Sequence, residues 1–308
     1  MGQTLLGLRI DVDTHDGMKL GVPRLLGVLG ERGVKGTFYL SMGPDNSGRA
    51  IFNVLRRPGF LAKMRRTKAA RVYGWRTVLS GTLLPARLIA VALPQTARRI
   101  TAEGHEAGVH AWNHRRWQDR LLRLSHPEVA SELSHGRDAF IRIFGTPPRT
   151  FAAPAWFSDA RALAIEEGFD LEYASDCRGV EPFLPVVKGM ALATPQVPTT
   201  LPTLDEALGE THEDAEGFFG SILDSIRADG WPVLTIHAEL EGGPYREAFA
   251  AFLREAVARE IHVLPLRELL VARLATGTPL PTLAMGYGTV PGRHGRVSVP
   301  LPTTKALS

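Results

Sequence analysis

The feature that most constrains the fold is a regular alternation of short apolar runs with amphipathic helical stretches. An apolar run over 5–11 precedes a helical pattern over 22–33, and a second apolar run follows over 36–41. The same order recurs along the chain and ends with a helical pattern over 245–260 and an apolar run over 261–265. This alternation is typical of a mostly parallel sheet. We expect the sheet to close, because 308 residues is a normal length for one α/β barrel.

Two regions interrupt the alternation. Residues 43–93 form a long insertion between the second strand and its helix, and residues 276–308 form a tail rich in Pro, Gly and Thr. A composition of that kind is typical of poorly ordered chain ends, so we expect the tail to be disordered. The sequence therefore predicts one domain over 1–275 that carries the insertion.

The insertion lies in a strongly basic part of the chain. From position 46 to position 102 there is no Asp or Glu, whereas there are twelve Lys and Arg residues. Apolar and aromatic residues are mixed with these cations, which is typical of a segment that lies on an anionic membrane surface. A nucleic acid is the other anionic partner that such a block could bind. The block contains no recognised nucleic-acid-binding motif, so we expect no nucleic-acid partner.

Cysteine content and the first residues suggest a compartment. Cys177 is the only cysteine, which rules out a disulfide within the chain. The opening residues lack the basic and apolar regions of a signal peptide. We therefore expect a cytoplasmic protein, whose basic insertion would attach it peripherally to an anionic membrane surface.

Two acids, Asp11 and Asp13, stand at the end of the first apolar run. Residues two apart in a strand point to the same face, so the two carboxylates would lie close together and repel each other. A cation between them, a shared proton, or two solvated acids at the start of a turn would each account for this spacing.

Histidines follow two later apolar runs. His110 and His114 have the four-residue spacing that lets two side chains on a helical turn hold one metal, although a structural pair has the same spacing. His237 ends the run 231–237. Since active sites of α/β barrels lie at the carboxyl ends of the strands, we expect these residues to gather at one rim.

Three segments resemble, in chain order, the motifs of the polysaccharide deacetylase (NodB-like) superfamily: RIDVDTHDG (9–17), GHEAGVHAWNH (104–114) and LTIH (234–237). Further segments resemble the deformylases of that superfamily that act on 4-deoxy-4-formamido-L-arabinose linked to undecaprenyl phosphate: GPDNSGR (43–49), YGW (73–75), SDCRG (175–179) and TPQVPTTLPTLDE (194–206). The resemblance implies a distorted (β/α)7-type barrel of the NodB kind, with the basic insertion after its second strand.

The resemblance also implies the roles of individual residues. Asp13, His110 and His114 match the ligands of one divalent metal ion, Zn²⁺ or else Co²⁺, Mn²⁺ or Ni²⁺. Asp11 matches the general base, and His237 matches the general acid. Asp176 matches the acid that orients His237, and the backbone N–H of Ala155 matches a contact to the oxyanion.

The implied reaction is hydrolysis of the N-formyl group from the lipid-linked sugar. Such an enzyme would serve the aminoarabinose modification of lipid A and resistance to cationic antimicrobial peptides such as polymyxin. The alternative is a deacetylase of an N-acetylated sugar or polysaccharide. Substrate contacts are expected from five side chains: Asp45, Asn46, Arg49, Arg178 and Tyr245.

The chain departs from the sugar deacetylases at one position. Those enzymes carry in their third motif an arginine that pairs with the general base, and the matching residue here is Ala152. Arg9 and Arg178 are the two candidates to replace it.

Overall fold

The computed structural model describes residues 3–46, 85–293 and 295–301. The strands in these ranges are β1 (Thr4–Val12), β2 (Thr37–Ser41), β3 (Glu106–Ala111), β4 (Thr150–Phe151), β5 (Tyr173–Ala174), β6 (Leu184–Val187), β7 (Met190–Ala191), β8 (Val233–His237), β9 (Ile261–Leu264), β10 (Thr282–Gly288) and β11 (Val297–Leu301). The α-helices are α1 (Val22–Gly30), α2 (Pro94–Ala102), α3 (His114–Arg120), α4 (His126–Phe144), α5 (Ala160–Glu167), α6 (Leu204–Ala207), α7 (Ala215–Ser225), α8 (Arg246–Ala258) and α9 (Leu266–Ala275).

Seven of these strands form one parallel sheet. Its order is β5-β4-β3-β2-β1-β8, and β9 pairs with the first half of β1. The segment 194–201 spans the gap between β5 and β8, because the N–H of Val197 donates to Ala174 O at 2.8 Å and the N–H of Thr200 donates to Val233 O at 3.2 Å. The predicted α/β barrel of the NodB kind is confirmed, with one irregular segment in its wall.

The two faces of β1 differ in chemistry. Leu8 and Ile10 face the helices and belong to the main hydrophobic core. Arg9 and Asp11 lie on the opposite face, because side chains alternate along a strand, and the Arg9 guanidinium lies 5.0 Å from the ring centroid of Tyr39. The buried polar face places charged groups inside the barrel near the carboxyl end of β1.

Helix α4 shows how local sequence sets the ends of an element. The Ser125 N–H and hydroxyl both donate to Glu128 Oε2, at 2.8 and 2.9 Å, which forms a capping box. The helix ends at Gly145, whose φ of 78° is in the left-handed region that glycine adopts without strain. Both ends of this helix therefore follow from the chemistry of the residues that stand there.

The predicted disorder of the tail is wrong for its described part. β10 pairs in antiparallel fashion with β11 and in parallel fashion with β6, and β7 completes a second, four-stranded sheet. Pro and Gly content favoured disorder, but Leu283 and Met285 alternate with small residues and pack in a cluster with Phe183. This alternation supplies a buried face that overall composition does not reveal.

The insertion leaves and rejoins the barrel at adjacent points. The Ile89 N–H donates to Gly43 O at 2.9 Å, and the Asp45 N–H donates to Arg87 O at 2.7 Å. Residues 47–84 lie outside the described residues, so the membrane-interface interpretation stays a prediction. In the described part of the chain, no helix has the length and apolar character needed to cross a bilayer.

Candidate active site

The parallel sheet brings the predicted residues to one rim. Asp11 is paired in register with His237 of the neighbouring strand β8. Asp13 follows β1, whereas His110 lies in β3 and His114 begins α3. Because the carboxyl ends of parallel strands meet at one edge, residues more than 200 positions apart in the sequence share one site.

Asp13, His110 and His114 form the cluster that the sequence predicts. Asp13 Oδ1 lies 3.3 Å from His110 Nε2, and Asp13 Oδ2 lies 3.4 Å from His114 Nε2. One ligand atom from each of the three residues lies within 4.8 Å of the others. A carboxylate and two imidazoles leave open positions on a divalent ion, which a catalytic site requires.

Three details of this cluster fit a metal ion. Nδ1 of His110 lies 2.8 Å from the carbonyl oxygen of Ala152, so Nδ1 carries the proton and Nε2 presents its lone pair toward Asp13. Asp13 Oδ1 is buried and has no hydrogen-bond partner among the described residues. Burial also lowers the pKa of His114 to about 4, which favours the neutral imidazole that a metal needs.

Arg9 takes the place of the missing third-motif arginine. Its Nε and Nη2 donate to the two carboxylate oxygens of Asp11, each at 2.7 Å, and its Nη1 donates to the Ser175 hydroxyl at 3.1 Å. Burial acts to raise the pKa of Asp11, but the charge and hydrogen bonds of Arg9 outweigh it and hold that pKa below its usual range. Asp11 is therefore ionised at neutral pH and able to accept a proton.

His237 lies where a proton donor is expected. Its backbone N–H donates to Glu241 Oε2 at 2.8 Å, and its Nδ1 lies 3.9 Å from Asp205 Oδ1. Burial acts to lower the pKa of His237, but the carboxylates of Asp205, Asp13 and Asp11 raise it to about 9. The imidazole is therefore charged at neutral pH and can donate a proton.

The structure corrects the role predicted for Asp176. Its Oδ1 accepts the Ala153 N–H at 2.7 Å, its Oδ2 accepts Nε2 of Gln196 at 2.9 Å, and it also shares a hydrogen bond with Glu166. No hydrogen bond or ion pair joins Asp176 to His237 within the described residues. The acid that pairs with His237 is Asp205, because the buried carboxylate of Asp176 is already occupied by these three partners.

Ala155 lies in a tight turn over Pro154–Trp156, three residues after Ala152, whose carbonyl oxygen contacts His110. Ala155 and Trp156 have φ values of 59° and 51°, a left-handed conformation that costs a non-glycine residue about 1–3 kcal/mol. The Trp156 indole N–H donates to the Thr199 hydroxyl at 2.8 Å, which helps to hold the turn. The oxyanion contact of the Ala155 N–H stays a prediction.

Glu239 supports the loop that carries Asp13. Its Oε1 accepts the N–H groups of Asp13 and Thr14 at 3.0 and 2.8 Å, and the Thr14 hydroxyl at 2.8 Å. Gly17 leaves room for this carboxylate, because a Cβ there would lie 2.0 Å from Oε1. Sequence reasoning assigned no role to Glu239, Glu241 or Asp205. Acids two and four places after His237 were a visible signal for the first two.

Four of the five side chains predicted to contact substrate lie within the described residues, and each has protein contacts of its own. Asp45 Oδ2 accepts the His15 N–H at 3.0 Å, and Asn46 Nδ2 lies 3.4 Å from Asn113 Oδ1 near the start of α3. Arg178 is paired with Glu206, and Tyr245 packs partly buried on the main core. Arg49 lies outside the described residues. The substrate roles of all five stay predictions.

Comparison with known proteins agrees with this geometry. The family model for polysaccharide deacetylase matches residues 12–174. The chain is 39% identical to the probable 4-deoxy-4-formamido-L-arabinose-phosphoundecaprenol deformylase ArnD of Shewanella sediminis (strain HAW-EB3), over 87% of this chain and 86% of that protein. It is 31% identical to the protein of the same name from Wigglesworthia glossinidia brevipalpis, over 92% of this chain and 97% of that one.

Solved structures show the same fold at lower identity. A Mycobacterium smegmatis protein assigned as a polysaccharide deacetylase superposes with a TM-score of 0.62 at 19% identity, covering 92% of this chain and 95% of that one. The peptidoglycan deacetylase PdaC of Bacillus subtilis superposes with a TM-score of 0.51 at 14% identity, covering 89% and 95%. From its matched residues and its curated relatives, the chain belongs to the polysaccharide deacetylase family.

Proposed function

We propose that this protein is a metal-dependent amidohydrolase that removes the N-formyl group from 4-deoxy-4-formamido-L-arabinose linked to undecaprenyl phosphate. The observation that carries the proposal is the cluster of Asp13, His110 and His114 with Asp11 and His237 at the same rim. The names of relatives that match almost the whole chain support the choice of a formyl group and a lipid-linked sugar.

The residues of the site divide the chemistry of amide hydrolysis. A divalent ion held by Asp13, His110 and His114 would polarise the amide carbonyl and acidify a water molecule. Asp11, kept ionised by Arg9, takes a proton from the attacking water. The Ala155 N–H stabilises charge on the carbonyl oxygen. His237 gives its proton to the departing amine, and Asp205 supports the charged imidazole.

A lipid-linked substrate requires an enzyme that works at a membrane. We propose that the insertion over 43–93 places the protein on the anionic cytoplasmic face of the inner membrane, in the service of lipid A modification and polymyxin resistance. The twelve cations and missing acids over 46–102 support this, at about 1 kcal/mol per Lys or Arg near the surface. Vesicle flotation tests it: binding to anionic vesicles should weaken but persist as salt rises, and no binding at low salt would contradict it.

The main alternative is a deacetylase of an N-acetylated sugar or polysaccharide, which would use the same residues. The acyl group decides between the two. The metal-loaded protein should release formate from the N-formyl lipid at least tenfold faster than acetate from its N-acetyl analogue. Equal rates would favour the deacetylase, and no release of formate would contradict the proposed function.

The two proton-transfer roles have their own test. Asp11→Asn should keep the metal and lose about 10²-fold or more in turnover, because the general base is gone. His237→Ala should also keep the metal and lose most on substrates with poor leaving amines. Loss of metal in either variant would show that a ligand had been mistaken for a proton-transfer residue.

A further inference from the structure

Three guanidinium groups lie around one tryptophan beside the site. The first belongs to Arg9, which is 5.5 Å from the ring centroid and is already paired with Asp11. Cζ of Arg178 is 4.9 Å from the ring centroid of Trp156, and Cζ of Arg293 is 4.7 Å from it. Trp156 is buried and directly follows Ala155 in the chain. Positive charge is therefore concentrated next to the turn that carries the predicted oxyanion contact.

One carboxylate serves the other two arginines. Nη1 of Arg178 donates to the two carboxylate oxygens of Glu206 at 2.8 and 3.0 Å, whereas Nη1 of Arg293 lies 3.5 Å from Oε1. Two positive charges and one negative charge leave a surplus of one positive charge. The neighbouring acid, Asp205, faces His237 and accepts the Thr203 hydroxyl at 2.7 Å.

Arg293 presents this surplus charge to solvent. Its side chain is 17% exposed, compared with 8% for Arg178 and 3% for Glu206. Arg178 is held further by a hydrogen bond of 2.8 Å to Leu201 O. Burial lowers the pKa of Arg178, and the positive charges of Arg293 and Arg9 lower it further, so an added anion would relieve repulsion among these groups.

The C-terminal strands fix Arg293 in this position. Gly292 packs so closely on α6 that a Cβ would lie 2.0 Å from Glu206 O. In β11, the Ser298 hydroxyl accepts the Ser158 N–H at 2.9 Å, and Ser298 O accepts the Arg178 N–H at 2.9 Å. The segment that carries Arg293 is thus tied to the loop after Trp156.

We propose that Arg293, with Arg178 behind it, binds the phosphate group of the substrate. This rests on the proposed function, in which a phosphodiester joins the sugar to the lipid. A guanidinium donates paired hydrogen bonds that match phosphate oxygens. Glu206 follows Asp205, the partner of His237, so the anion would lie on the side where the amine departs. The amide nitrogen and the phosphate are attached to opposite carbons of one sugar ring. The sugar that leaves with the amine therefore extends away from the reacting carbonyl and carries its phosphate on that same side.

Kinetics on two soluble substrates tests the proposal. The first is a short-chain alkyl phosphodiester of 4-formamido-arabinose, and the second is its neutral methyl glycoside. Arg293→Gln should raise KM for the phosphodiester tenfold or more and change KM for the methyl glycoside less than twofold. Arg293→Lys, which keeps the charge but loses the paired donors, should fall between. Equal changes in KM for both substrates would overturn the proposal.

A matched control is Arg149→Gln. Arg149 also pairs with one acid, Glu172, but it precedes β4 and so lies at the opposite end of the sheet from the site. This variant should behave as wild type toward both substrates. Thermal unfolding of each variant shows whether it is folded. If Arg149→Gln raises KM for the phosphodiester as much as Arg293→Gln does, a general loss of positive charge is responsible and the proposal fails.

A binding measurement separates this proposal from the proposed function. The probe is a short alkyl phosphodiester of arabinose, which has no amide. Calorimetry measures its affinity for the metal-loaded protein. Arg293→Gln should weaken this binding tenfold or more, whether or not the wild type releases formate. Loss of binding without any formate release would support the anion site and reject the deformylase. The anion site would be rejected if the wild type releases formate but does not bind this probe. It would also be rejected if Arg293→Gln binds the probe as tightly as the wild type does.

Discussion

Arg9 and Asp11 form a two-pronged ion pair within a single strand, with two hydrogen bonds of 2.7 Å. Both side chains are buried on the inner face of β1. The pair replaces a contact that sugar deacetylases make from their third motif, where this chain has Ala152. Ala152 contributes its carbonyl oxygen to His110 instead. The proposed general base and its partner therefore reach the site on one element.

Arg9→Lys should lower kcat about tenfold or more and leave the metal content unchanged. Lysine keeps the charge but cannot donate in parallel to both oxygens of Asp11. The matched control is Arg273→Lys, since Arg273 is also buried and paired with an acid, Glu181, but lies in α9. Both variants should lose stability, and only Arg9→Lys should lose kcat. Unchanged turnover in Arg9→Lys would mean that the ion pair has no part in catalysis.

Asp205→Asn should move the alkaline limb of the pH–rate profile to lower pH. The Asp205 carboxylate raises the pKa of His237 against the opposite effect of burial. Without that charge the imidazole loses its proton at lower pH, and the general acid is lost sooner. Asp176→Asn, if folded, should leave this limb in place. A shift with Asp176→Asn and none with Asp205→Asn would reverse the two assignments.

His105 should make the fold sensitive to acid. Burial lowers its pKa from 6.5 to about 4, and its Nδ1 accepts the Gly36 N–H at 3.2 Å. As pH falls, the unfolded chain therefore takes up this proton before the folded chain does. The contribution of His105 to the free energy of unfolding is fully present above pH 6.5 and is lost as pH falls from 6.5 to about 4.

Denaturant unfolding of His105→Asn measures this contribution, because the asparagine amide oxygen can accept the same N–H. From pH 7 to pH 4 the wild type should lose on the order of 2 kcal/mol more than the variant. An identical pH dependence for the two proteins would show that His105 does not carry the effect.

Local patterns predicted the fold and the rim at which the candidate residues meet, and the family resemblance then implied the three metal ligands. Alternating apolar runs set the strands, and parallel pairing then brings Asp13, His110 and His114 to one edge. The partner of His237 could not be predicted in this way. Asp205 comes from a short helix, α6, that no strand pattern places, and motif matching pointed to Asp176 instead. Side-chain pairing across distant loops depends on packing that local sequence does not encode.

The tail is a second feature that local sequence did not predict. Its Pro and Gly content predicted disorder, yet β10 finds a partner in β6, which lies about 100 positions earlier in the chain. A strand in a Pro- and Gly-rich segment becomes stable when another element pairs with its backbone and covers its apolar face. The position of Arg293 beside Trp156 follows from this pairing, so it could be found only in the structure.

Metal content of the purified protein tests the central claim most directly. Wild type and Asp11→Asn should each hold about one equivalent of divalent metal per chain after dialysis. Asp13→Ala and His110→Ala should hold almost none and should release no formate, because each loses one of three ligands. One full equivalent of metal and normal turnover in either ligand variant would contradict the site.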